Sequence, residues 1–385
     1  MGKKIKTNII HVGSNPENNH GSITDPIYKN STLIFKNYSS FVESKKNKFE
    51  VPYYGRFGNF TTKNFENVIS KLYKSEKAVV TSSGLSAITI TFLSLLSKGD
   101  EILVVENCYE PVANFCKFVL SKFDISTRFY NPNETNLKSI MTKKTKLIYI
   151  ESPGSLNFEV QDLNEIVSIA KKKHIITIMD NTWSTFLGCN PIKFGIDIVI
   201  ESLTKYFSGH SDNFCGAIAC SSKYFLLIKQ TAVRLGDFVS PESCFFASRG
   251  LKTLPVRMKN HELNAEKVYE FLKKHHLVEK IYYLPDEKNN HNKLWKKYHT
   301  LNNGLISFSI KKINKCNHFV DNLKLFKIGF SWGGYESLIL PLDKLKPAIN
   351  IKKNPNLWFR IHVGLENNID LIEDLDKALI RYEKN

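Results

Sequence analysis

HIITIMDNTW (174–183) and IDIVIESLTKYFSGHSD (196–212) decide how this chain folds. Each opens with a short β-branched apolar run and breaks at once into polar residues, the pattern of a buried strand ending at a loop. The pattern recurs in KAVVTSS, EILVVEN, KLIYIES and GAIACSS, and helical periodicity fills several of the gaps, as in LSAITITFLSLL and VQDLNEIVSIAKKK. This alternation predicts an α/β fold: a mainly parallel sheet with helices on both faces. In such sheets ligands bind beyond the carboxyl ends of the strands. Asp180, Ser202, Thr204 and Lys205 all fall there.

A lysine and an aspartate at neighbouring strand ends suit one cofactor chemistry. Pyridoxal 5'-phosphate needs a lysine to hold its aldehyde covalently and a carboxylate to keep its ring nitrogen protonated, which makes the ring an electron sink. Alone, such a pair reads as a surface lysine and a capping aspartate. The flanking residues favour the first reading. TSSGLSA (81–87) follows a strand, and Gly84 lets the backbone turn into a helix whose free N–H groups face an anion. Ser202 and Thr204 add hydroxyl donors beside Lys205.

Composition narrows the rest. The 385 residues allow two domains, and 42% hydrophobic with 24% charged residues is ordinary for a globular protein. The start, MGKKIKTNIIHVGS, has no apolar core of a secretory signal, and no apolar run reaches the ~18 residues of a membrane span. The expectation is a cytoplasmic location without a membrane partner. Seven cysteines without a CxxC pair read as reduced thiols, and the eleven histidines show no metal-ligand spacing, so no metal is expected. The net charge of +17 is spread over separate lysine runs: Lys143, Lys144 and Lys146 before a strand, Lys171–Lys173 at a helix end, Lys296–Lys297 in a polar loop. Dispersed runs without a recognition motif do not imply nucleic acid. His210, Ser211 and Asp212 are adjacent and cannot form a hydrolase triad.

Three regions follow. Residues 1–52 read as a polar, loop-like arm lying on a neighbouring subunit, 53–245 as the cofactor-binding α/β domain, and 246–385 as a smaller α+β domain. The last opens with the helical stretch RMKNHELNAEKVYEFLKKHH and ends in DLIEDLDKALIRYE.

Over nearly its whole length the chain resembles the pyridoxal-phosphate enzymes of cysteine and methionine metabolism, the transsulfuration enzymes. The likeness runs from IIHVG and PIYKNSTLIF through YGR, SSGLSA, YEP, ESPGS, DNTW and SLTKYFSGHSD to SRGLKTL, SWGGYESL and RIHVGLE. ESPGS (151–155) and the tryptophan of SWGGYESL make it most similar to the bacterial cystathionine β-lyases. The resemblance implies the transferase-like fold of these enzymes (fold type I). It also implies a homotetramer built as a dimer of dimers, and cleavage of cystathionine to homocysteine, pyruvate and ammonia in methionine biosynthesis. γ-Synthase or γ-lyase chemistry shares the same cofactor contacts and is the alternative; a pyridoxal-binding regulator or nucleic-acid binder is a more remote one.

The resemblance also implies roles. Lys205 would hold the cofactor and shuttle protons, with Tyr109 as its catalytic partner stacked on the ring. Asp180 would meet the ring nitrogen. Backbone N–H groups of Gly84 and Leu85, with Ser202 and Thr204, would hold the phosphate, joined by Tyr54 and Arg56 from a second subunit. Arg360 would grip the substrate carboxylate, and Ser331 and Trp332 would line the substrate side. Leu85 replaces a methionine common in the family, and Ser155 stands where many members have asparagine.

Overall fold

The computed structural model describes residues 4–134, 136–342 and 356–384. Two sheets organise them. The first contains β1 (Lys77–Thr81), β2 (Glu101–Val105), β3 (Ser126–Tyr130), β4 (Thr145–Glu151), β5 (Ile176–Asp180), β6 (Ile198–Ser202) and β7 (Gly216–Cys220), in the order β1-β7-β6-β5-β4-β2-β3. Strands β2 to β6 pair in parallel, whereas β7 runs antiparallel to both β1 and β6. The central strands β2 and β4 are almost wholly buried, as a sheet covered by helices on both faces requires.

The second sheet holds β8 (Val278–Tyr282), β9 (Leu305–Ile310), β10 (Lys327–Ile328), β11 (Leu338–Pro341) and β12 (Leu357–His362), ordered β10-β11-β12-β9-β8. One continuous helix, Pro241–Lys274, serves both halves. Its Cys244, Ala247, Leu251, Leu254 and Met258 enter the core of the first sheet. Its Ala265, Val268, Tyr269 and Leu272 enter that of the second. The 245/246 boundary proposed from the sequence falls inside this helix.

Two local readings are corrected, and one strand went unread. The stretch 1–52, whose first three residues lie outside the described ones, is not loop throughout. It forms helices Ile5–His11 and Tyr38–Lys46, the second opened by a reciprocal cap between Asn37 and Ser40. Lys296 and Lys297 lie in a helix, Asn292–Tyr298, which turns Trp295 and Tyr298 inward and leaves the lysines exposed. The edge strand β3, STRFY, alternates exposed and half-buried positions, buries only Tyr130, and carries too weak an apolar run to be read alone.

The arm is anchored at its start. Lys252 donates to the carbonyls of Ile9, Ile10 and Val12 at 3.1, 3.0 and 2.9 Å, neutralising the end of the first helix. Farther along, Ile34 is 95% and Tyr38 80% exposed, so this single chain leaves apolar arm residues uncovered.

Candidate active site

β4, β5 and β6 end side by side, and each delivers an acid near its last position: Glu151, Asp180 and Glu201. Glu151 is in register with Asp180. Burial raises both carboxyls, and their mutual repulsion adds to this for Glu151, whose pKa lies well above the usual range. Asp180 rises less because the Thr182 N–H donates to it at 2.8 Å and the Lys205 charge favours its ionised form. Of the two, Asp180 has the neighbours that favour a carboxylate. Glu201 is 1% exposed, hydrogen-bonded to the Tyr73 hydroxyl, and pushed well up by burial.

Lys205 lies three residues beyond β6 and its ammonium faces the cleft. It donates to Ser331 Oγ at 2.7 Å and lies 5.4 Å from the Trp332 ring centroid. Burial, with the Arg360 charge second, lowers its pKa to about 8. Lys205, Asp180, Ser331 and Trp332 thus lie in one group.

Arg360, in β12, is 7% exposed, and its Nη1 donates to the Ser155 carbonyl at 3.3 Å. Burial lowers its pKa to about 10, so it stays charged at neutral pH. Tyr109 caps the helix Glu110–Phe118, donates its N–H to Glu151 at 2.8 Å and leaves its ring 48% exposed.

At the anion end, Gly84 opens the helix Gly84–Leu95, with Ser83 capping it by accepting the Ser86 N–H at 3.0 Å. A Cβ on Gly84 would lie 2.5 Å from the Ser202 Cβ, so two elements meet at glycine-only separation. Leu85 packs on the core, which leaves only its backbone for a ligand. Thr204 bonds both backbone groups of Cys215, through a donated bond of 3.3 Å and an accepted one of 3.2 Å. Tyr54 and Arg56 are not part of this group within one chain: Arg56 donates instead to the Val233 carbonyl at 2.9 Å. His210 bonds Ser208, and Ser211 bonds Glu336, so these neighbours share no relay.

Together these features fit pyridoxal phosphate: an amine of lowered pKa, an acid on the adjacent strand, a helix start with a glycine cradle, and a buried guanidinium. The sequence reading missed Glu151 as a titrating partner. Its position at the end of KLIYIE mirrors that of Asp180 at the end of IITIMD and could have signalled it. His362, which closes β12, was also missed.

Comparison with known proteins agrees with this geometry. The Cys/Met metabolism PLP-dependent enzyme family matches residues 6–380. The chain is 32% identical to an L-alanine/L-glutamate racemase of Wolbachia pipientis wMel, over 98% of this chain and 97% of that protein. It is also 32% identical to the cystathionine beta-lyase MetC of Escherichia coli K12, over 98% and 99%. The crystal structure of a cystathionine gamma synthase from Xanthomonas oryzae pv. oryzae superposes with a TM-score of 0.92 at 26% identity, each chain covered completely. With this lysine, this acid and this fold, the chain belongs to the pyridoxal-phosphate-dependent enzymes of cysteine and methionine metabolism and takes pyridoxal 5'-phosphate as its cofactor.

Proposed function

We propose that the chain is a carbon–sulfur β-lyase acting on cystathionine and releasing homocysteine, pyruvate and ammonia. The observation that carries this reading is the Ser331–Trp332 wall against Lys205: a hydroxyl 2.7 Å from the amine and an indole 5.4 Å from it. In this reading the indole narrows the pocket on the substrate's sulfur side and favours expulsion at Cβ.

In this reading Arg360 binds the substrate's α-carboxylate with its planar fork. Lys205, a neutral amine in a useful fraction of molecules because of its lowered pKa, takes the α-proton and later returns a proton. When bound, the cofactor supplies the electron sink at the α-carbon. Asp180 holds the negative charge that the ring nitrogen's proton requires, and Tyr109 covers the ring. The N–H groups of Gly84 and Leu85 and the Ser202 hydroxyl would hold the phosphate, joined by Thr204 if its hydroxyl turns from the Cys215 carbonyl. Tyr54 and Arg56 reach the site of a second copy, which also covers the exposed Ile34 and Tyr38. The assembly is a dimer at least, and a tetramer as a pair of dimers.

The deciding experiment incubates purified holoenzyme with L-cystathionine and identifies the α-keto acid. Pyruvate supports β-cleavage; 2-oxobutyrate as the main product overturns it in favour of the γ-type alternative. Racemisation is a second reading, favoured by the likeness to the Wolbachia protein. It shares the proton removal at Lys205 and differs only in how the proton returns, so chiral analysis of alanine and glutamate separates it from elimination.

A further inference from the structure

β12 carries two functional-looking side chains two residues apart, Arg360 and His362, which therefore share one face of the strand. Arg360 belongs to the proposed substrate clamp. His362 touches neither Lys205 nor a substrate position by any hydrogen bond, yet it is 2% exposed with both ring nitrogens engaged. The Glu336 carbonyl lies 3.0 Å from Nδ1, and the Gly333 N–H points at Nε2 from 3.1 Å. A carbonyl only accepts and an N–H only donates, so the ring must carry its proton on Nδ1. Both contacts are to the backbone of one loop, Ser331–Glu336.

We propose that His362 is a positioning residue, pinning that loop at two points so that Ser331 and Trp332 meet the Lys205 amine. The proposal rests on Lys205 being the catalytic lysine.

The loop has reason to need a pin. Ser331 holds φ at +82°, a left-handed conformation unfavourable for a residue with a Cβ. Gly333, at φ +88°, lies so close to the Lys205 segment that a Cβ there would be 2.6 Å from the Tyr206 N. The loop's register is thus set directly against the backbone that carries Lys205. Around the pin, the Tyr206 ring lies 5.7 Å from His362, 5.4 Å from Trp332 and 5.2 Å from His261. The His261 and His362 rings are 5.0 Å apart. Burial, then the charges of His261, Arg360 and Lys205, hold His362 well below its ordinary pKa. A neutral ring is the only form that can accept the Gly333 N–H and donate to Glu336 at once.

The test compares holoenzymes of His362→Leu, His362→Asn and His362→Gln. Leucine fills space and makes neither bond. Asparagine restores a donor near Nδ1, and glutamine an acceptor near Nε2. Each is assayed for cofactor content, thermal midpoint, kcat and KM. Each is also assayed for exchange of the α-proton of L-alanine in deuterium oxide, which reads Lys205 without depending on any leaving group. The leucine variant is expected to keep its cofactor and to lose about tenfold or more in kcat and exchange rate, with KM within about threefold. The asparagine or glutamine variant should recover part of the loss. Unchanged kcat and exchange in the leucine variant overturn the proposal. So does an equal loss in all three variants that tracks lost cofactor or stability, since that is the signature of packing alone. If leucine prevents folding, the asparagine and glutamine variants decide in the same way. Should cystathionine give no pyruvate while alanine exchange still responds to His362, the β-lyase reading fails and this one stands.

Discussion

Glu151 and Asp180 stand in register on adjacent parallel strands, two carboxyls at the floor of one cleft. Burial raises both carboxyls and the Asp180 charge raises Glu151 further, while Thr182 and Lys205 oppose the rise at Asp180; the expected division is that Asp180 holds the charge and Glu151 keeps its proton. Glu151→Gln imitates the protonated acid and still accepts the Tyr109 N–H. It is expected to hold kcat/KM within about threefold, whereas Asp180→Asn should lose about a hundredfold or more. Steady-state kinetics on both variants check this. A large loss in the glutamine variant would reverse the assignment.

Lys205 should load its cofactor at lower pH than an ordinary lysine. Only the neutral amine attacks an aldehyde. With a pKa near 8, about one molecule in ten is neutral at pH 7, against roughly three in ten thousand for an amine at the ordinary 10.5. The rate of reconstituting apoenzyme with pyridoxal phosphate is expected to rise with pH to a midpoint near 8. A midpoint above 10 would show that the apo site does not desolvate this amine.

Gly84→Ala should act on the phosphate end alone. The new Cβ would meet the Ser202 Cβ at 2.5 Å and Cα at 3.0 Å, so the helix start and the β6 end must part. The expected result is cofactor retention on dialysis weakened by about tenfold or more, with secondary structure intact by circular dichroism. Retention equal to the parent would remove Gly84 from the phosphate cradle.

Glu201 sets a pH dependence of stability. Its folded pKa lies well above the ordinary 4.5, so the folded state holds this proton more tightly than the unfolded chain. The stabilisation is complete below 4.5 and is lost as pH rises above it. Glu201→Gln keeps a partner for Tyr73 and has no proton to lose. Its thermal midpoint, relative to the parent, should therefore climb as pH rises above 4.5. A gap independent of pH would mean that Glu201 is not the titrating group.

Arg56 and Lys205 belong to different copies in the proposed assembly. Arg56→Ala and Lys205→Ala are each expected to be nearly inactive alone. Mixed after verified subunit exchange, they should recover activity, because half of the hybrid sites then carry both residues. No recovery would confine Arg56 to its own chain.

Much of this site was readable in order along the chain because strand ends announce themselves. Asp180 ends one five-residue strand and Lys205 closely follows another, where an α/β sheet presents ligands. Gly84 was readable for the same reason, at a strand-to-helix turn. What escaped depends on neighbours distant in sequence. Glu151 titrates oddly only because β5 places Asp180 beside it, and His362 matters only because its strand returns to the Ser331 loop. The antiparallel course of β7 was equally hidden, since GAIAC is apolar in either direction. Helix Asn292–Tyr298 is short and polar on its outer side, so its lysines outweighed Trp295 and Tyr298 in the reading.

Helix Pro241–Lys274 gives the molecule a spar. Its 34 residues extend about 50 Å, and both cores grip it. Lys205 belongs to the half that grips its first turns and Arg360 to the half that grips its last. The amine and the guanidinium are thus carried by two cores that hold the two ends of one continuous helix. Under the proposed function, choice of one amino acid over another falls to short segments such as Ser331–Glu336, which can change without disturbing that frame.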